Sequence, residues 1–180
     1  MASITDLTPG TWNVDPSHST ISFVARHLMI TKVRGSFKTF TGAITVAEDR
    51  LSSTVNASID VASVYTGDDG RDGHLKSADF FDVENNPTMT FTSTVVKQDG
   101  GDFLLVGDLT IKGITKPVEL ELEFEGVNTD PWGNVKAGFS ASTEINRKDW
   151  DLGWNVALEA GGFVVGDKVK LELDIQAVKV

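Results

Sequence analysis

Residues 118–125 read Val118-Glu119-Leu120-Glu121-Leu122-Glu123-Phe124-Glu125, apolar and acidic residues in strict alternation. A period of two puts every apolar side chain on one face of an extended strand and every carboxylate on the other, so the stretch predicts a strand with one buried face. The last segment repeats the pattern, with Val169, Leu171, Leu173, Ile175 and Ala177 set against Lys168, Lys170, Glu172, Asp174 and Gln176.

Working outward from these two stretches, the same period recurs along the chain. It carries Ile21, Phe23 and Ala25; Val55, Ala57, Ile59 and Val61; and Met89, Phe91, Ser93 and Val95. It continues through Phe103, Leu105, Leu109 and Ile111, and through Ala137, Phe139, Ala141, Thr143 and Ile145. Between Phe37 and Phe40 the apolar phase slips by one residue, which predicts a bulge or break near Thr39 in a bent strand ending around Val46. Gly100-Gly101-Asp102 and Lys112-Gly113 are joints of hairpin length, whereas Asp130-Pro131-Trp132-Gly133 is a longer turn. Trp150 to Gly166 reads as a loop holding at most a short strand. About eight one-sided strands without repeated strand–helix units predict an all-β fold, either an up-and-down antiparallel barrel or a sandwich, and the barrel leaves no exposed edge.

One segment breaks the pattern. From Ser63 to Asn86, Asp68, Asp69 and Asp72 precede His74, Leu75 and Lys76, the charge order that suits a short helix and its dipole. Ser77 can cap a further turn, and the adjacent Phe80 and Phe81 suit a short helical insertion covering one end of the barrel.

Composition bounds what the fold can do. The 180 residues suffice for one domain, 1–180, with residues 1–10 expected as a flexible N-terminal extension. With no cysteine there is no disulfide framework, thiolate metal site or Cys nucleophile. Lys and Arg number 16 against 26 Asp and Glu, a net charge of −10 that argues against nucleic acid as partner. No apolar run approaches the roughly 20 residues of a membrane helix, so no transmembrane segment is expected. The opening MASITDLTPG lacks a basic start and an apolar stretch, which points to the cytoplasm.

The inward faces include the small residues Ala25, Ala57, Ser93, Gly107, Ala137, Ala141, Thr143 and Ala177. An eight-stranded barrel is just wide enough either to be filled by side chains or to hold one small ligand, and the pattern alone leaves both open. His18, His27 and His74 show no HxH or HExxH spacing, so neither a metal nor a cofactor is expected. Ser17-His18-Ser19 lacks the context of a nucleophile elbow, and Gly161-Gly162 and Gly166 lack that of a phosphate-binding turn. Arg26, Lys32, Arg34, Arg71, Lys76, Arg147 and Lys148 fall at probable strand ends, where basic side chains either hold an anionic head group at a barrel mouth or pair with nearby carboxylates.

Four runs, in order, resemble the YceI-like family. They are Trp12-Asn13-Val14-Asp15-Pro16-Ser17-His18-Ser19 with Val33-Arg34-Gly35-Ser36-Phe37, then Arg71 through Asp82, then Gly107 through Val118, then Phe139 through Ile145 with Arg147 and Trp150. The resemblance implies a lipocalin-like elongated barrel that holds a long-chain isoprenoid, such as a polyprenyl phosphate or an isoprenoid quinone, and that is often a homodimer. Many such proteins carry an export signal, which this opening lacks.

The resulting expectation is non-enzymatic binding, storage or transport of an isoprenoid lipid. Ile21, Phe23, Phe37, Phe91, Leu105, Leu109, Leu120, Leu122, Phe139, Ala141, Leu171 and Leu173 are expected to line the lumen. His27, Arg71, His74, Lys76 and Arg147 are the candidates for a polar head group. The alternative is an enzyme on a barrel scaffold acting on a lipidic or small apolar substrate, with His27, His74 or Arg147 as acid–base or charge-stabilising groups.

Overall fold

The stretch at 118–125 lies within one long strand, with Val118 and Leu120 buried and its glutamates exposed. The structure is a computed structural model and describes residues 2–180. Its strands are β1 (Gly10–Val14), β2 (Thr20–His27), β3 (Thr31–Phe37), β4 (Phe40–Val46), β5 (Thr54–Asp60), β6 (Val64–Tyr65), β7 (Thr88–Asp99), β8 (Asp102–Ile111), β9 (Ile114–Thr129), β10 (Val135–Asn146) and β11 (Val165–Lys179). One α-helix, α1 (Asp69–Lys76), interrupts them.

These segments form one antiparallel sheet in the order β1-β4-β5-β7-β8-β9-β10-β11-β2-β3-β6, closed where β1 also pairs with β11. The closure is an eight-strand barrel because some of its staves are broken in two. β1 and β2 both pair with β11 and are parted by a 3-10 turn at Pro16–His18, capped by Asp15. β3 and β4 form the next stave, and β5 with β6 the one after it.

The break expected near Thr39 is where the chain passes from β3 to β4. Phe37 and Phe40 are both buried, and the intervening amides of Lys38 and Thr39 leave the ladder to bond the Ser63 carbonyl and hydroxyl at 3.2 and 3.0 Å. Two residues in place of one between two inward aromatics thus cost no buried hydrogen bond.

Two expectations are corrected. Val95 does not continue the inward face of β7: the ladder with β8 shifts between Ser93 and Val95, leaving Val95 exposed and turning Val96 inward against the core. A bulge adds one residue to one strand and so inverts its alternation from there on. Of the expected flexible extension, Met1 lies outside the described residues, and the segment from Ser3 to Gly10 packs rather than trails away. Ile4–Asp6 form a 3-10 turn with a Ser3/Asp6 capping box, and Leu7 is buried beside Trp12. Arg50 fastens this segment by donating from Nε to the Leu7 carbonyl at 2.8 Å, and Trp12 Nε1 donates to the Thr8 carbonyl at 3.0 Å.

Candidate functional site

The inward faces enclose an apolar cavity of about 300 Å³ that runs the length of the barrel. Ile4, Leu7, Arg50 and Leu51 bound it at one end, and Leu75, Phe80, Phe81, Arg147, Leu152 and Val165 at the other. From Phe139 to Ile145 along β10 alone the wall extends about 20 Å at the rise of a strand. Two further hollows, of about 580 and 730 Å³, lie on outer faces lined largely by polar side chains such as Glu121, Glu172 and Asp130.

Every residue expected in the lumen lines this cavity: Ile21, Phe23, Phe37, Phe91, Leu105, Leu109, Leu120, Leu122, Phe139, Ala141, Leu171 and Leu173. They do not line it equally. Phe37, Phe91, Leu105, Leu109, Leu120 and Phe139 are buried by side-chain packing. Ile21, Phe23, Leu122, Ala141, Leu171 and Leu173 face inward yet remain half-exposed, which places open volume against β2, β9, β10 and β11, and the equally half-exposed Val55 and Ala57 extend it to β5.

The small inward residues differ in fate. Ala25, Ala57 and Ala141 border the cavity. Ala137 and Ala177 are cross-strand partners, fully buried in the cluster around Trp12, so the space they leave is filled by that cluster. Gly107 makes room for the Phe91 ring, and the Ser93 hydroxyl accepts from the Val55 amide at 2.7 Å.

The short insertion covers the second end. Asp68 caps α1 by accepting from the Arg71 amide at 2.8 Å, and buried Asp72 accepts from the Thr66 amide at 2.9 Å. After the helix, Phe81 packs edge-on to Phe37 with ring centres 5.9 Å apart. Phe80 meets His74 and Trp154 at 5.1 and 5.5 Å. Ser77 is the C-cap of α1 and opens a turn, not a second helix. Of the stretch 150–166, Trp150 ends a 3-10 turn, Val165 and Gly166 open β11, and the loop between them has a single bridge, Ala157 to Phe163.

Of the head-group candidates, Arg147 lines the cavity; Arg71, His74 and Lys76 share α1 with the cavity-lining Leu75, and His27 pairs with the cavity-lining Val165. Arg147 is nearly fully buried and holds the loop by its backbone: Nε donates to the Gly166 carbonyl at 2.9 Å, Nη1 to those of Leu152 and, at 3.0 Å, Trp154, and Nη2 to Val165 at 3.3 Å. Burial pulls its guanidinium below the ordinary value and Asp167, 3.8 Å away, opposes this. Beside it, Trp150 Nε1 donates to the Leu109 carbonyl at 3.0 Å, tying the loop to the barrel wall.

His74 is half-buried at the rim, with Nε2 2.9 Å from Asp79 and its ring edge-on to Trp154 at 4.6 Å. His27, half-buried, ends β2 on the face that carries Phe23 and Ala25. Arg71 is exposed and braces the loop ahead of α1 through the Thr66 hydroxyl and carbonyl at 2.7 and 2.8 Å; Lys76 is exposed at the end of α1. Among the described residues no group of three His, Cys, Asp or Glu is placed to hold a metal ion. No helix among them is long and apolar enough to cross a membrane.

A closed antiparallel barrel with a long, apolar, end-capped lumen defines a lipocalin-like binding fold. The chain belongs to the YceI-like family, whose domain model matches residues 12–177. It is 43% identical to the YceI protein of Escherichia coli strain UMN026 over 136 residues, 75% of this chain and 71% of that protein. The crystal structure of Campylobacter jejuni YceI is similar at a TM-score of 0.72 and 30% identity, over 86% of this chain and 90% of that one. A structure described as a polyisoprenoid-binding domain from Saccharophagus degradans, implicated in plant cell wall breakdown, shares the fold at a TM-score of 0.72 and 17% identity, over 96% of this chain and all of that one.

Proposed function

We propose that this protein binds and carries, chemically unchanged, one long-chain isoprenoid lipid in its lumen. The observation that carries the reading is the line of half-exposed apolar side chains from Ile21 and Phe23 across to Leu122, Leu171 and Leu173, all facing inward around open space. Burying an apolar chain there supplies affinity at about 25 cal/mol for each Å² withdrawn from water, with no need for a reacting group. Membership in the YceI-like family supports lipid or isoprenoid binding, and the family and structural neighbours point to a binding domain rather than an enzyme.

A head group, polyprenyl phosphate or quinone, falls to the rim near α1. Arg147 has one N–H left over, which faces Asp167, so its part is to position the loop. His74, His27, Arg71 and Lys76 remain to meet the head group. The test compares lipid retention of wild type with Arg71→Ala/Lys76→Ala: selective loss of charged-head lipids supports this end, and unchanged retention at low and high salt removes these residues from the site.

A homodimer and residence in the cytoplasm belong to the same proposal, tested by light scattering at micromolar concentration and by fractionation of source cells. The enzyme reading would rest on the His74–Asp79 pair. Turnover of an added lipid, abolished in His74→Ala, would favour it over carriage.

A further inference from the structure

The turn joining β2 to β3 combines features that weaken the fold and gain nothing inside it. Between the paired His27 and Thr31 the chain turns through three residues, Leu28–Ile30, with the Ile30 amide bonded to the His27 carbonyl at 3.1 Å. Leu28 and Met29 occupy its centre at φ 52° and 61°. Left-handed backbone at both positions is the geometry for which Asn-Gly is preferred, because a side chain branching from such a backbone is crowded. Here the two residues are large and apolar, Leu28 38% and Met29 59% exposed, and Ile30 after them is 75% exposed.

A second anomaly lies immediately beneath the tip. Arg26 and Lys32 are direct cross-strand partners, a like-charge pairing that destabilises a sheet. Neither they nor Arg34 forms an ion pair among the described residues. In a chain of net charge −10, residues 16–47 contain Arg26, Lys32, Arg34 and Lys38 and no Asp or Glu at all.

The loop beside the tip extends the apolar surface. The Leu28 amide bonds the Val164 carbonyl at 2.8 Å, bringing Phe163, 49% exposed, next to the turn. Met29 lies so close to Gly162 that a β-carbon there would collide with its sulfur. Lys148 Nζ stands 6.0 Å from the centre of the Phe163 ring.

We propose that Leu28, Met29, Ile30 and Phe163 form a docking tip that inserts into the surface of an anionic phospholipid bilayer. An apolar point with Arg26, Lys32 and Arg34 on the two strands beneath it matches the two forces at such a surface, burial among acyl chains and attraction to anionic head groups. Tip-to-tip pairing with a second copy would instead bring Arg26 and Lys32 of both copies together. The tip stands at the end of the barrel that carries Val165 and Arg147 on the cavity wall, so docking presents the loading mouth to the lipid source. This purpose rests on the carrier reading, but the docking does not. Asp149, Asp151 and Glu159 are exposed on the adjoining turn and loop, and a comparison of anionic with neutral vesicles reads their balance against the hairpin cations.

The experiment is vesicle flotation with phosphatidylglycerol/phosphatidylcholine vesicles and with phosphatidylcholine alone, at low and high salt. Wild type should float with the anionic vesicles and be largely released by salt. Leu28→Asn/Met29→Gly installs the residues the turn geometry prefers, so its Tm should equal or exceed that of wild type while its partition falls at least tenfold. Arg26→Ser/Lys32→Ser should lose about fivefold per charge on anionic vesicles only. Wild type that stays unbound, or a Leu28→Asn/Met29→Gly protein that binds as wild type, overturns the proposal. So does a wild-type dimer that this variant splits without any vesicle binding, which would make the tip an interface between copies. Lipid extracted from the same preparations keeps the two readings apart. A loaded lumen without flotation sinks the docking tip alone, and flotation with an unloadable lumen sinks the carrier alone.

Discussion

Gly35 lies directly opposite Phe23 in the β2–β3 pair, and the Phe23 ring occupies the space where a side chain at position 35 would stand. Gly107 is paired with Ser93 and yields its side-chain space to the ring of the diagonal neighbour Phe91, and a β-carbon there would also lie 2.7 Å from the Thr92 carbonyl oxygen. Neither glycine is in the left-handed region, so both are required by close approach and not by backbone conformation.

The two therefore separate in a substitution test. Gly107→Ala presses on backbone as well as on a ring and should cost about 1–3 kcal/mol, the range for overpacking. Gly35→Ala meets the Phe23 ring first, and that ring can swing into the cavity, so it should cost less in denaturant unfolding while reducing lipid retention. Equal losses of stability with unchanged retention would contradict the placement of Phe23 on the open side.

Arg147 should behave as the hub of the 152–166 loop. Arg147→Met strips partners from the carbonyls of Gly166, Leu152, Trp154 and Val165, at about 1–3 kcal/mol for each that stays buried without another donor, while Asp167 keeps Lys148 at 3.3 Å. Arg147→Lys keeps the charge but not the planar fork, so most of the loss should remain. Hydrogen exchange should show loss of protection at the Val164 and Val165 amides, which bond back into the loop. A lysine variant as stable as wild type would refute the hub.

Asp15 should give a defined acid dependence. Hydrogen bonds from Ser17 and from His18 Nδ1 at 2.8 Å hold its carboxyl at about 2, below its ordinary 3.8. A depressed folded-state pKa stabilises the fold at pH above the unfolded value, and that stabilisation is lost as pH falls through the folded value. The stability difference between wild type and Asp15→Asn, which still caps Pro16–His18, should be constant above about pH 5 and shrink toward pH 2. A flat difference across that window would contradict the paired carboxylate.

Leu120 and Leu122 share one face of β9 but not one environment: Leu120 is buried and Leu122 half-exposed to the lumen. Leu120→Ala should cost about 2–5 kcal/mol in chemical denaturation, whereas Leu122→Ala, which enlarges existing space, should cost clearly less. The order reverses if the open volume lies on the other side.

The barrel was legible wherever one residue's neighbours decide its face. Val118 to Glu125 reads as a strand because the period-two signal is local, and the Phe37–Phe40 slip was visible because two aromatics bracket it. The bulge at Ser93–Val95 was not, since Val95 and Val96 are the same residue type and either can serve as the inward one. The packing of Ile4 and Leu7 depends on Arg50, far away in sequence, and on carbonyls that every residue possesses. Arg147 was hidden for the same reason: its partners are backbone atoms, and composition does not mark them. The lumen wall followed from alternation, but its open side did not, because the share of space taken by Trp12, Phe23 and Phe91 is decided across strands.

The most direct measurement is native mass spectrometry of protein purified from its source, with organic extraction of the bound material, for wild type and for Ala141→Phe. Ala141 borders the open side of the cavity, and a ring there takes up space without breaking a hydrogen bond. The account predicts one long-chain isoprenoid per wild-type barrel, chemically intact, and a reduced or shorter complement in a variant at least as stable. A barrel that emerges empty and accepts neither a polyprenyl phosphate nor an isoprenoid quinone, or one that carries the same lipid in both proteins, would contradict it.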